Sequence, residues 1–376
     1  MAFFRMRLLA ATAVTAALLA ACSGEDRPQV DIIGGDGGSA SVSVSGIEPA
    51  IVPVGPGYKP VSNVDVYFQM GLDLRDIRAV MAPAAQRQPV DWAAARAIYE
   101  DGKNQVQASG SLRSLASIAN DAVQAMFPGG ASVYGRADFI NALVRDGLNG
   151  AGRGQGASDI ARRQIVDKGI QMLMYGKALQ ELDAARTRVS QGNLDNNTGA
   201  PHAVDEAFAS IAGAPDSSGD FPNGLLATAQ GREEDFAFEG RIRNALEEAF
   251  NEALAASQSG DLGAFDRAHT GIKGRLNAIF YLGALRYPTV LQTAGTAAER
   301  ELHLAEGWTF WQTIRATVAA ASPGAAETVE AIYNRGPEEA FPASETAAVY
   351  AALNEPAVLQ ALAIPDELIA RTPPTP

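Results

Sequence analysis

The chain has three histidines, and two of them sit in matching frames. His202-Ala203-Val204-Asp205-Glu206-Ala207-Phe208 and His303-Leu304-Ala305-Glu306-Gly307-Trp308-Thr309-Phe310-Trp311 both run His, two residues, an acid, then aromatics. On a helix, residues i and i+3 share a face, so His202 with Asp205 and His303 with Glu306 can each address one atom. Helical bundles build metal centres from imidazole and carboxylate groups in this register. Hard oxygen donors beside an imidazole suit iron or manganese, and zinc or copper accept the same set. Glu206 extends the first frame, although Gly307 stands at its counterpart. The blander alternative is a pair of surface or capping histidines with incidental acids, but it needs that coincidence twice. Asp205 and Glu206 also have the chemistry of a general acid and base, yet nothing marks a nucleophile or a leaving-group site. His269 lacks an acid at that spacing and is read as a surface residue.

Helices must carry these frames. Phe238, Ile242, Leu246, Phe250 and Leu254 fall at four-residue steps and predict a helix from Phe236 to Leu254. Ser259-Gly260-Asp261 closes it and opens the next, which is expected to run to about Tyr287 and stop at Pro288. Another begins near Thr296 and ends before Pro323. Earlier candidates are Asp91 to Glu100, Leu112 to Met126, Ala137 to Leu148 and Ser158 to about Val189. Long alternating strands are absent, so the fold class is all-α, with roughly eight to twelve helices. Glu233-Glu234-Asp235 reads as a solvated helix start.

The helices also repeat. Val166, Ile170, Leu173 and Met174 form a stripe that Ile272, Leu276, Ile279 and Phe280 reproduce at a constant offset. At that offset Tyr175 aligns with Tyr281, and each stripe is followed by a loop and then a histidine frame. Two related helical halves are expected, roughly 61–230 and 231–376. Tyr175 and Tyr281 are either core residues with bonded hydroxyls or ferric ligands.

Composition removes several function classes. A net charge of −13 argues against nucleic-acid binding, because phosphate repels an acidic chain. One cysteine excludes an internal disulfide framework and a zinc–cysteine site. No Walker loop, dinucleotide fingerprint, nucleophile elbow or His-Glu-x-x-His motif is present. The sole cysteine follows a short apolar run preceded by Arg5 and Arg7, and Leu19-Ala20-Ala21-Cys22 resembles a bacterial lipobox. Residues 1–21 are therefore expected to be a lipoprotein signal peptide, with Cys22 acylated and residues 22–60 a flexible tether. Residues 61–376 would form the helical domain. Ser23 after the cysteine favours the outer membrane, with the protein facing the periplasm or the cell surface.

The chain resembles the low-iron-inducible periplasmic proteins, known also as algal iron-assimilating proteins and related to the phytotransferrins. The resemblance rests on Ala97-Ile98-Tyr99-Glu100-Asp101-Gly102 and on the two histidine frames, and it spans most of residues 65–340. It implies extracytoplasmic iron binding or uptake, with ferric iron the expected ion and a carbonate-type anion beside it. On that implication His202, Asp205, His303 and Glu306 are the first ligand candidates, with Glu206, Tyr175 and Tyr281 behind them. The bacterial lipid anchor departs from the algal members. A binding protein rather than an enzyme is expected, with the metal ion and, through the Cys22 anchor, the membrane as its partners. Two alternatives stand beside it: a metal-dependent hydrolase resembling the imelysin-type proteins, and a metal-free structural lipoprotein.

Overall fold

The computed structural model describes residues 57–374. The expected signal peptide, Cys22 and the tether up to residue 56 lie outside the described residues. Among the described residues fifteen α-helices follow one another: α1 (Asp65–Met81), α2 (Trp92–Asp101), α3 (Leu115–Ile118), α4 (Asp121–Gln124), α5 (Gly130–Tyr134), α6 (Phe139–Asn149), α7 (Asp159–Ser190), α8 (Ala200–Ala212), α9 (Leu225–Phe236), α10 (Arg243–Ser259), α11 (Leu262–Thr293), α12 (Ala297–Ala321), α13 (Pro323–Tyr333), α14 (Ala343–Leu353) and α15 (Pro356–Leu362). Among the described residues the only β pairing is an isolated antiparallel bridge between Val106 and Leu112. The all-α class is as expected, and the larger helix count comes from single-turn pieces such as α3, α4 and α5.

The stripe-bearing segments become the two longest helices, α7 and α11, each of 32 residues. Helix α7 is the axis of the body and packs against α1, α6, α8, α11 and α12. That central place buries both its faces and explains why apolar periodicity alone understates how much of it is core. Each long helix turns back through a loop onto the helix that carries a histidine, α8 or α12. The α7–α8 loop is closed by Asp195, which accepts hydrogen bonds from the backbone N–H of Asn197 and Thr198 and from the Thr198 hydroxyl. Gly199 ends it, because a Cβ there would meet the Asp195 nitrogen at 2.6 Å. Before α12, Thr296 and Glu299 form a reciprocal capping box.

Three helix expectations need correction. The expected Phe236–Leu254 helix is interrupted at its start: α9 ends at Phe236, Ala237 takes a left-handed φ of 55°, and α10 begins only at Arg243. The break is held by Glu233, whose carboxylate accepts hydrogen bonds from the backbone N–H of Gly240, Ile242 and Arg243. Glu233 is thus a buried cap for the following turn rather than part of a solvated helix start. The Leu112–Met126 segment is split in the same way, by Asn120 accepting from the N–H of Ala122 and Val123.

The third correction is Pro288, which sits inside α11 instead of ending it. A proline inside a helix leaves the carbonyl four residues earlier without its donor. Here that carbonyl belongs to Ala284, and the buried Tyr333 hydroxyl donates to it at 2.7 Å. A side chain from α13 therefore supplies the missing hydrogen bond. Tyr333→Phe is expected to cost about 1–3 kcal/mol, the penalty of an orphaned buried carbonyl. The check is a urea melt, and an unchanged midpoint would contradict the role.

The body starts earlier than the tether boundary at residue 60 suggests. Tyr58 is buried, and its ring packs on Phe208 of α8 with centroids 4.3 Å apart.

Candidate functional site

The first histidine frame opens α8, with His202 in its first turn and Glu206 one turn later. Residues i+3 and i+4 flank a helical residue on opposite sides, and the structure uses both sides differently. His202 Nε2 lies 3.2 Å from Glu206 Oε1, and its Nδ1 is 2.8 Å from the Ser62 hydroxyl. Asp205 turns away. Its buried carboxylate accepts hydrogen bonds from the Tyr58 hydroxyl, the Ser62 hydroxyl at 2.6 Å and the N–H groups of Val61 and Ser62 at 2.9 Å. Those four donors occupy the carboxylate and fasten residues 58–62 to α8.

Glu206 instead meets Glu181 of α7 and Tyr67 of α1. Burial is the largest influence on Glu206 and opposes its charge. Hydrogen bonds from His202, Tyr67 and Glu181 outweigh it and lower the Glu206 pKa. On Glu181 the balance is reversed: burial and the neighbouring Glu206 charge raise its pKa, although Lys177 pulls the other way. Two adjacent carboxylates oppose each other's ionisation, which is why the two shifts run in opposite directions. Lys177 donates to Glu181 and, at 2.7 Å, to Gln180. The Tyr67 pKa is raised by burial and by both glutamates, so its phenol stays protonated. Glu181, Lys177 and Tyr67 carry no motif in the sequence; only the Lys177–Glu181 spacing of four marks a helical pair.

The second frame has the opposite electrostatics. His303 is buried against Tyr287, with ring centroids 6.0 Å apart. Burial first, then the adjacent Arg286, lowers its pKa to about 4. Its Nδ1 has no hydrogen-bond partner among the described residues. Glu306 lies 3.5 Å from the Nζ of Lys168, a buried lysine of α7. Asp235 joins Arg286 and Arg232, each at 2.9 Å. The surroundings of His303 are thus rich in guanidinium, whereas those of His202 are rich in carboxylate.

Neutral His303 makes stability depend on pH with a defined sign. Its folded pKa of about 4 lies below the ordinary 6.5, so the unfolded chain takes up the proton first. Its contribution is complete above pH 6.5 and is lost as pH falls toward 4, by up to about 3 kcal/mol. His303→Gln should flatten this part of the stability–pH curve; an unaltered curve would show that another group titrates there. The raised pKa of His202, caused first by its hydrogen bond to Glu206, has the opposite sign. That contribution is full below 6.5 and fades as pH rises through the raised value.

The two clusters are far apart. Lys168 and Glu181 are separated by 13 residues of one continuous helix, which at 1.5 Å per residue is roughly 20 Å. A single ion cannot take ligands from both frames. The two tyrosines of the stripes stand elsewhere again. Tyr175 donates to Asn277 at 2.7 Å and Tyr281 to Asn354 at 3.0 Å, each within the packed interior. His269 is half-buried, with its Nε2 3.7 Å from Asp183. Of the seven residues expected at a metal, only His202 and Glu206 are brought together with further donors. Among the described residues no three His, Cys, Asp or Glu side chains form a ready-made ligand cage. No helix among them is long and apolar enough to cross a membrane.

The family model for the low iron-inducible periplasmic proteins matches residues 36–299, which is more than half of the chain. That span includes Tyr67, Lys177, Glu181, His202 and Glu206, and it ends before His303. No curated protein and no solved structure matches the chain.

Proposed function

The chain belongs to the low iron-inducible periplasmic protein family, and on that premise we propose that it is an extracytoplasmic iron-binding protein of iron acquisition or homeostasis. It acts by holding the ion rather than by turning over a substrate, and a lipid at Cys22 anchors it to the outer membrane. The observation that carries this reading is the Glu181–Glu206 pair with His202 and Tyr67 around it. Two carboxylates that oppose each other's ionisation are a natural seat for a cation, because the ion takes the place of a proton and relieves the repulsion. Two carboxylates and a phenolate are hard donors and the imidazole a borderline one, a set that suits ferric iron once the ion has displaced the Tyr67 proton. Lys177, now paired with Glu181, would be the cation available to a carbonate-type anion bound beside the ion. Asp205, His303, Glu306, Tyr175 and Tyr281 drop behind this set, since each is committed to other partners or lies in the other cluster or in the packed core.

The test is to purify the full chain in detergent, expose it to ferric citrate with bicarbonate, desalt it and measure bound metal. Stoichiometric iron is expected in the parent and none in a folded Glu181→Gln/Glu206→Gln variant. Absence of retained metal in the parent would overturn the function. Equal retention in both would overturn the site.

A further inference from the structure

Ser62 stands between His202 and Asp205, and its one hydrogen is already committed. The hydroxyl donates to Asp205 Oδ2 at 2.6 Å, and the backbone N–H of the same residue reaches the same oxygen at 2.9 Å. The Val61 N–H adds a third donor to that oxygen. An oxygen that takes three donors has no hydrogen of its own to return, so the direction of the Ser62–Asp205 bond is set. Ser62 therefore meets His202 Nδ1, 2.8 Å away, with a lone pair. Two lone pairs repel at that distance, so Nδ1 bears a hydrogen and donates it to Ser62. The other ring nitrogen, Nε2, lies 3.2 Å from Glu206 Oε1. A metal-bound histidine uses the nitrogen without a hydrogen and gives its other N–H to an acceptor that holds the ring. Nε2 is the nitrogen that this wiring offers to an ion beside Glu206.

We infer that Ser62 is a positioning residue of the iron seat: it keeps the hydrogen on His202 Nδ1 and so turns Nε2 to the ion. This role rests on the seat proposed at Glu181 and Glu206. An ion entering there takes the place of the hydrogen between Nε2 and Glu206 and leaves Nδ1 unchanged. Ser62 acts through the imidazole, and its hydroxyl is itself held, because its main chain is tied to the same carboxylate. Asp205 thus aims the hydroxyl, and the hydroxyl aims the ring. Without the hydroxyl, the ring loses its hold at Nδ1 and its hydrogen is free to move to Nε2, where it competes with the ion. The Ser62 contacts also fasten residues 58–62 to α8, but Tyr58 does the same through Asp205 and Phe208 instead of through His202. Variants of Ser62 and Tyr58 therefore separate aiming from fastening.

The experiment measures ferric affinity of the full chain in detergent by competition with nitrilotriacetate, for the parent, Ser62→Ala, Ser62→Thr and Tyr58→Phe. Ser62→Ala should weaken iron roughly tenfold while still loading to the parent's stoichiometry at excess iron. Ser62→Thr, which keeps the hydroxyl, should recover the parent's affinity. Tyr58→Phe should lower the thermal melt and leave the affinity unchanged. The wiring itself is read by NMR with gallium(III), a diamagnetic ion of ferric charge. With three histidines in the chain, ring-15N-histidine labelling and a His202→Gln control assign the signals. A gallium-loaded parent should show His202 bound through Nε2, with an Nδ1–H protected from exchange that Ser62→Ala exposes. Gallium on Nδ1, or a Ser62→Ala variant that binds iron like the parent, would overturn the role of Ser62 and leave the seat standing, provided that Glu181→Gln/Glu206→Gln still abolishes binding. A Tyr58→Phe variant weakened as much as Ser62→Ala would likewise overturn it, because fastening alone would then set the affinity. A parent that retains no metal would overturn the seat and this role together.

Discussion

Replacing Asp205 by alanine is expected to destabilise the protein by roughly 3–5 kcal/mol and to leave iron binding intact in the molecules that remain folded. The carboxylate is buried and accepts from four donors: the Tyr58 and Ser62 hydroxyls and the N–H groups of Val61 and Ser62. Alanine takes the shared acceptor from all four; the buried Tyr58 hydroxyl so orphaned costs about 1–3 kcal/mol, and the part-buried donors at Val61 and Ser62 cost less each, the Ser62 hydroxyl keeping His202 Nδ1 within reach. The sum is an upper bound, because residues 58–62 can peel from α8 and recover water. Peeling has its own cost, since it exposes the Tyr58 ring that now packs on Phe208 and Phe250. Asp205→Asn should fall between, as one oxygen becomes an amide that faces donors with a donor. Urea melts of the three proteins measure the stability, and metal analysis at low temperature measures the binding. A parent-like midpoint in the alanine variant would remove the anchoring role. Loss of iron from a stably folded variant would return Asp205 to the ligand set.

Asp205 also shows where a sequence pattern stops being informative. The i, i+3 rule correctly puts it on a helix face near His202, but two flanks meet that description, and the choice between them depends on what packs against α8. The flank toward residues 58–62 takes Asp205, and the flank toward α7 and α1 takes Glu206. The repeat argument favoured Asp205, because Gly307 breaks the match at Glu206. That glycine has a packing cause. A Cβ at Gly307 would lie 2.5 Å from the Tyr333 ring and 2.6 Å from the Tyr287 Cβ, so the position is reserved for close approach.

The helical class and the bounds of α7 and α12 were legible, since Ser158 and Thr296 are N-caps that announce themselves. Pro288 misled because its rescue comes from Tyr333, 45 residues away along the sequence. Glu181 and Tyr67 were invisible for a related reason. Their meeting with Glu206 is made by the packing of α1, α7 and α8, and nothing local in either residue's neighbourhood encodes it. Their chemistry emerges only where burial and a second charge act together.

Iron binding should strengthen as pH rises, and removing the carboxylate pair should weaken it by roughly a hundredfold or more, equivalent to about 3 kcal/mol. The direction follows from the protons that iron must displace. Glu181 takes its proton more readily because burial and the Glu206 charge raise its pKa, and the Tyr67 phenol is protonated as well. His202 holds another above its ordinary range because Glu206 accepts from it. Below those pKa values each proton competes with the ion, adding about one decade of affinity per pH unit. Glu181→Gln takes one proton out of the competition, so its affinity should be lower and its pH slope shallower by about one. Glu206→Gln acts on the imidazole as well: with its acceptor charge gone, His202 should titrate at lower pH. That shift is readable by NMR of the metal-free protein, and it separates the two parts of the argument. A His202 titration unmoved by Glu206→Gln would mean that the pair does not exist in solution. A shifted titration with unchanged iron affinity would mean that the pair exists and the metal sits elsewhere.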